Sequence, residues 1–91
     1  MNISEKELSS LEKAAMEKAN RAITSIESAM AACDALETKP YDLRERMQRL
    51  KYYHEELSAW YSSMLKKKGD AAEGRISRLR KLYELCQGWR D

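Results

Sequence analysis

The chain has 91 residues, of which 43% are hydrophobic and 35% charged, and its 17 basic and 15 acidic side chains leave a net charge of +2. This composition excludes a disordered chain, and the lack of any run of about 18 apolar residues excludes a membrane-spanning helix. The first residues lack a basic region followed by an apolar core, so we expect no signal peptide and a cytoplasmic location.

Helix-forming residues dominate the chain, whereas Phe is absent and β-branched residues are few. The only proline is Pro40, and all three glycines fall in the last quarter. Because a sheet would need more β-branched residues, the composition predicts an all-α fold. We expect one domain over residues 1–91, a three-helix bundle made of a long, coiled-coil-like antiparallel hairpin and a shorter third helix.

The first predicted helix spans residues 5–37. Ser4 followed by Glu7 has the spacing of a capping box, in which the hydroxyl accepts a hydrogen bond from an unpaired backbone amide. Apolar residues then recur at gaps of three or four, and four of the nine are alanine: Leu8, Leu11, Ala15, Ala19, Ala22, Ile26, Ala29, Cys33 and Leu36. A stripe this small lets a neighbouring helix with bulky side chains approach closely.

The second predicted helix, residues 42–68, supplies those bulky side chains. Pro40 disfavours helix at the preceding residue, and Asp42 with Glu45 repeats the cap spacing. Gaps of four and three then alternate without a break, which is the heptad spacing of a helix face packed on another helix: Leu43, Met47, Leu50, His54, Leu57, Tyr61 and Met64. A short connection favours antiparallel neighbours, so the first two helices are predicted to form the hairpin.

The third predicted helix, residues 71–87, opens at Asp70 with Glu73 at the cap spacing. At about 26 Å it is too short to cover the whole hairpin. If it folds back from the end of the second helix, the apolar residues nearest Pro40 stay partly exposed. A large exposed apolar surface typically marks an interface.

No residue pattern indicates catalysis. His54 is the only histidine and lacks the second histidine of a zinc motif, and a phosphate-binding glycine loop is absent. Cys33 and Cys86 lie on apolar stripes, where a thiol is normally inert. We therefore expect no enzyme activity, metal or cofactor. His54 could instead set the register of the seam, in which case its protonation would loosen the bundle.

Two functional hypotheses remain. The first is a small non-enzymatic interaction module, such as an adaptor, chaperone-like subunit or inhibitor, that binds a larger protein, with a homodimer as a further alternative. Its contact residues would be the uncovered apolar and aromatic ones: Leu36, Tyr41, Leu43, Met47, Tyr53, Trp60 and Trp89.

The second hypothesis is a nucleic-acid-associated protein. Residues 41–91 hold twelve basic and eight acidic side chains. Six of the basic residues gather at the end of the second helix and on the third, where they could follow phosphates: Lys66, Lys67, Lys68, Arg75, Arg78 and Lys81.

No family is identified from the sequence. The Pro-containing turn at Lys39, Pro40 and Asp42, set between two long helices, resembles that of the needle subunits of type III secretion systems. The resemblance covers one turn, and the predicted third helix has no counterpart in it.

Overall fold

A computed structural model of the protein describes residues 3–36, 41–66 and 71–89. These residues form three α-helices, α1 (Glu5–Asp34), α2 (Tyr41–Lys66) and α3 (Ala72–Gly88), and no strand. Each helix packs against both others in a rod of 53 × 18 × 17 Å. The predicted all-α three-helix bundle is confirmed.

The first helix begins as its cap predicts. Ser4 has an extended backbone, and its Oγ accepts a hydrogen bond of 3.1 Å from the Glu7 amide. The helix ends at Asp34, three residues before the predicted end at residue 37, and the Ala35 amide donates to the Ala31 carbonyl in the last turn. Residue 37 lies outside the described residues.

The ends of the other two helices differ slightly from the prediction. α2 begins at Tyr41, one residue early, and is described as far as Lys66, because residues 67–70 lie outside the described part. The predicted cap at Asp70 falls in that stretch. Ala71 instead occupies the N-cap position of α3 and provides no side-chain hydrogen bond.

The core joins the alanine stripe of α1 to the bulky seam of α2, as large and small residues on facing helices predict. Ala15 and Ala19 are fully buried, and so are Leu50 and Leu57 of α2. α3 completes this core with four buried residues, Leu79, Leu82, Leu85 and Cys86. Interdigitation of small and large side chains brings the two long helices close enough to exclude water.

His54, the polar residue of the seam, is only partly buried. Its Nε2 lies 3.3 Å from the Glu27 Oε2 of α1. That charging His54 loosens the bundle stays a prediction.

The direction of α3 decides which part of the hairpin is covered. Its first turn carries Arg75, which pairs with Glu5 at the start of α1, and its last residue, Gly88, meets Arg49 of α2. α3 therefore folds back along the hairpin and stops beside Arg49. The part of α2 that precedes Arg49, residues 41–48, therefore lies beyond the end of α3, which leaves roughly 12 Å of the hairpin without a third helix. We call this part, residues 29–36 and 41–48, the two-helix end.

Candidate protein-interaction surface

A groove of about 250 Å³ lies at the two-helix end. One residue of α1 and five residues of α2 line it: Cys33, Leu43, Arg44, Met47, Gln48 and Lys51. The apolar part consists of Cys33, Leu43 and Met47, and the polar part lies along one edge of α2. The groove therefore combines an apolar floor with a basic rim.

The heptad spacing of α2 explains the apolar floor. Leu43 and Met47 belong to the same seam as Leu50 and Leu57, which are 1% and 0% exposed. Leu43 and Met47 stay only partly buried because the third helix does not reach them. Leu36, just beyond the end of α1, is 49% exposed and extends the apolar surface.

The rim follows from the helical repeat as well. Arg44, Gln48 and Lys51 are spaced i, i+4 and i+7, so they form one stripe along about 10 Å of α2. Within the described ranges, neither Arg44 nor Lys51 pairs with a carboxylate. Each of the three directly follows a seam residue in the sequence, which is the signal that could have identified the rim. The rim was not predicted, because the heptad pattern marks the seam and not the residues beside it.

Two of the aromatic residues predicted as partner contacts meet inside the chain. The Tyr53 and Trp89 rings lie 5.9 Å apart, and the Arg49 guanidinium lies 5.2 Å from the first ring and 5.4 Å from the second. Arg49 Nη2 also donates to the Gly88 carbonyl at 3.0 Å. This cluster of cation–π and hydrogen-bond contacts holds the end of α3 against α2.

The remaining predicted contact residues are dispersed. Trp60 is partly buried against the core, far along α2 from the groove. Tyr41 opens α2, but its side chain lies outside the described part of the structure. Of the seven predicted contact residues, the two-helix end brings together the described side chains of Leu36, Leu43 and Met47.

Arg75, predicted as a phosphate contact, has its charge matched within the chain. Its Nη1 donates to both Glu5 carboxylate oxygens at 2.7 Å, its Nε donates to Glu12 at 3.2 Å, and its Nη2 donates to the second Glu12 oxygen. The side chain is 12% exposed. The hydrogen bonds that Arg75 donates to Glu12 and Glu5 raise the pKa of Arg75, and the bond from Arg75 lowers the pKa of Glu5. Neither carboxylate partner was predicted, because no local spacing links α1 to α3.

The other predicted phosphate contacts do not share one environment. Lys66 and Lys81 are exposed, whereas Arg78 is partly buried on α3. Lys67 and Lys68 lie outside the described residues. Of the four described side chains, Lys66 and Lys81 are exposed, Arg75 is paired with carboxylates, and Arg78 is partly buried.

The thiols offer little reactivity. Cys33 and Cys86 are both buried and unbridged, and burial raises the pKa of the Cys86 thiol. In the ranges that the structure describes, His, Cys, Asp and Glu side chains form no group of three that could hold a metal ion. No helix in those ranges is both long and apolar enough to cross a bilayer.

No protein-family model matches the chain, and no curated protein and no solved structure resembles it significantly. Function is therefore inferred from the geometry of the described residues. That geometry defines a class of small helical bundle, one in which a hairpin is longer than the helix that covers it.

Proposed function

We propose that this protein is a non-enzymatic interaction module that binds a larger protein through its two-helix end. The observation that carries the proposal is the groove lined by Cys33, Leu43 and Met47, which lies where α3 no longer covers the hairpin. Partly exposed apolar residues beside a groove, with polar residues around them, resemble the core and rim of a protein–protein interface. An adaptor, a chaperone-like subunit and an inhibitor would all use such a surface.

The size of the groove favours a peptide segment over a small molecule. At about 250 Å³ it falls below the roughly 300–1,000 Å³ that is common for drug-sized ligands. A few apolar side chains projecting from a partner helix or strand would fill it. Recognition of this kind takes its affinity from a few buried anchor residues.

The nucleic-acid alternative ranks second. Of its proposed contacts, Arg75 is paired with Glu5 and Glu12, so contact with a phosphate would require breaking these bonds. Salt-dependent retention on a DNA or RNA column, abolished by Lys66→Ala and Lys81→Ala together, would favour this alternative instead.

The interaction proposal is tested by comparing three immobilised proteins: wild type, Met47→Glu in the groove, and Leu65→Glu as a matched control. Leu65 is 47% exposed and lies at the opposite end of α2. We expect wild type and the control to capture the same protein from an extract of cells that contain this chain. Capture should persist at roughly 0.5 M salt, where surface charge pairs are largely screened.

Met47→Glu should lose that protein, because it places a charge on the apolar floor of the groove. Circular dichroism of all three proteins establishes that the helices are intact. Equal capture by Met47→Glu and wild type would refute the proposal. Sedimentation of the wild type determines in parallel whether a second copy occupies the groove.

A further inference from the structure

We infer that the groove accepts an acidic amphipathic helix of the partner protein, apolar on the face that enters the groove and rich in Glu or Asp along one flank. This inference rests on the proposed function and specifies its partner. Three observations support it: the positive charge of the groove rim, the repulsion that a two-fold dimer would create between two such rims, and the length of hairpin that α3 leaves uncovered.

The rim selects for acidic residues. Arg44 and Lys51 lie seven residues apart on α2, on the same side as the Leu43 and Met47 floor, and both line the groove. Among its described lining residues the groove holds two cations and no carboxylate. A partner helix lying along α2 would meet both cations if it carried acidic residues two turns apart, at about 10 Å.

The same rim disfavours a second copy. A two-fold interface places one patch against the identical patch of the other subunit. The groove would then bring Arg44 and Lys51 of both copies into one small area, where like charges repel. A different molecule that supplies the opposite charge avoids this repulsion and gains complementarity.

The uncovered length indicates a helix of limited size. α3 stops beside Arg49, and roughly 12 Å of hairpin remains, which about eight residues of a partner helix would span. Such a helix would add a third helical layer where the bundle has only two. Helix-in-groove recognition commonly uses apolar anchors at i, i+3, i+4 and i+7.

The test uses two synthetic helical peptides of about 14 residues, close to the shortest length that is stably helical in water, identical at their Leu positions. One carries Glu at the flanking positions and the other carries Lys. We expect the Glu peptide to bind wild type at least about tenfold more tightly than the Lys peptide in fluorescence anisotropy. Its binding should weaken as the salt concentration rises.

Variants locate the charge effect. Arg44→Glu together with Lys51→Glu should reverse the preference, so that the Lys peptide binds more tightly. The matched control, Lys6→Glu with Lys81→Glu, makes the same charge change at two exposed lysines remote from the groove and should leave the preference unchanged. Met47→Glu should abolish binding of both peptides.

Several outcomes separate this inference from the proposed function. Equal binding of both peptides, lost in Met47→Glu, would overturn the acidic partner and leave an apolar interaction surface standing. A wild-type dimer that Met47→Glu disperses would show a second copy in the groove and likewise overturn it. If neither peptide binds but Met47→Glu still loses the partner from extract, the acidic-helix inference is overturned while the interaction surface stands. If that capture is insensitive as well, both proposals fail.

Discussion

Arg75 of α3 and Glu12 of α1 form an ion pair between residues 63 positions apart in the sequence. Their side chains are 12% and 18% exposed, so the pair is shielded from most solvent. Glu5 binds the same guanidinium from a more exposed position, at 74%. The start of α3 is thereby tied to the start of α1.

Removing this contact should destabilise the bundle. We expect Arg75→Ala to lower Tm by roughly 5 °C, since it leaves the partly buried Glu12 carboxylate without its partner. Double-mutant cycles of Arg75→Ala with Glu12→Gln and with Glu5→Gln should give the larger coupling for Glu12, which is the less exposed partner. Equal couplings for the two glutamates would show that burial does not control the strength of this pair.

The exposed arm of the same network predicts an acid dependence. The Arg75 hydrogen bond lowers the pKa of Glu5 below its usual 4.5. The folded state therefore binds this proton less readily than the unfolded chain does, and the contribution of Glu5 to stability is fully present above pH 4.5. It is lost as the pH falls through the lower, folded pKa.

Urea unfolding of wild type and Glu5→Gln over this pH range tests the dependence. The wild type should be the more stable protein at neutral pH, and the difference should vanish once the pH is below the folded pKa. A stability difference that does not change with pH would mean that the ionisation of Glu5 is not responsible for it.

The two glycines of α3 should respond oppositely to substitution by alanine. A Cβ at Gly74 would meet its nearest neighbour, Arg78 Nη1, at 3.9 Å, so Gly74→Ala should stabilise the helix by up to ~1 kcal/mol. A Cβ at Gly88 would lie 2.7 Å from the Tyr53 hydroxyl oxygen, and this ring is held by Trp89 and Arg49.

Gly88→Ala should therefore lower Tm, as measured by calorimetry. Adding Tyr53→Phe, which removes the crowded oxygen, should recover part of the loss. If Gly88→Ala is as stabilising as Gly74→Ala, the end of α3 is not docked against Tyr53 as described.

Arg49 should not be replaceable by lysine. Its planar guanidinium lies near two aromatic rings and donates to the Gly88 carbonyl, a combination that a lysine ammonium cannot reproduce. In a Trp60→Phe background, which leaves Trp89 as the only fluorophore of its type, Arg49→Lys should shift tryptophan emission to longer wavelength. An unchanged spectrum would show that Arg49 does not control the environment of Trp89.

Leucines of one seam should differ in their contribution to stability. Leu57→Ala should cost about 2–5 kcal/mol, because Leu57 is fully buried in the core. Leu43→Ala should cost clearly less, since Leu43 is only partly buried. Chemical denaturation of the two variants tests this difference, and equal losses would indicate that the two-helix end is as well covered as the middle of the bundle.

Local sequence signals predicted much of this architecture, for physical reasons that particular residues illustrate. The Ser4 cap depends on residues three positions apart, and the α2 seam on a repeat of seven, so neither requires distant information. The helix ends were less predictable: α1 stops at Asp34 although the apolar stripe continues to Leu36. Apolar periodicity records which face is buried and does not determine where the last backbone hydrogen bond forms.

For this protein, the sequence alone determined the helix content, the pairing of an alanine-rich helix with a bulky one, and the shortness of α3. Only the tertiary structure decided what the long side chains meet: Arg75 faces Glu5 and Glu12, and Tyr53 faces Trp89. It likewise brought Cys33 of α1 to Leu43 and Met47 of α2, with Arg44 and Lys51 beside them. Helical propensity and amphipathicity are short-range properties, whereas ion pairs, ring contacts and grooves depend on how helices distant in sequence are placed in space.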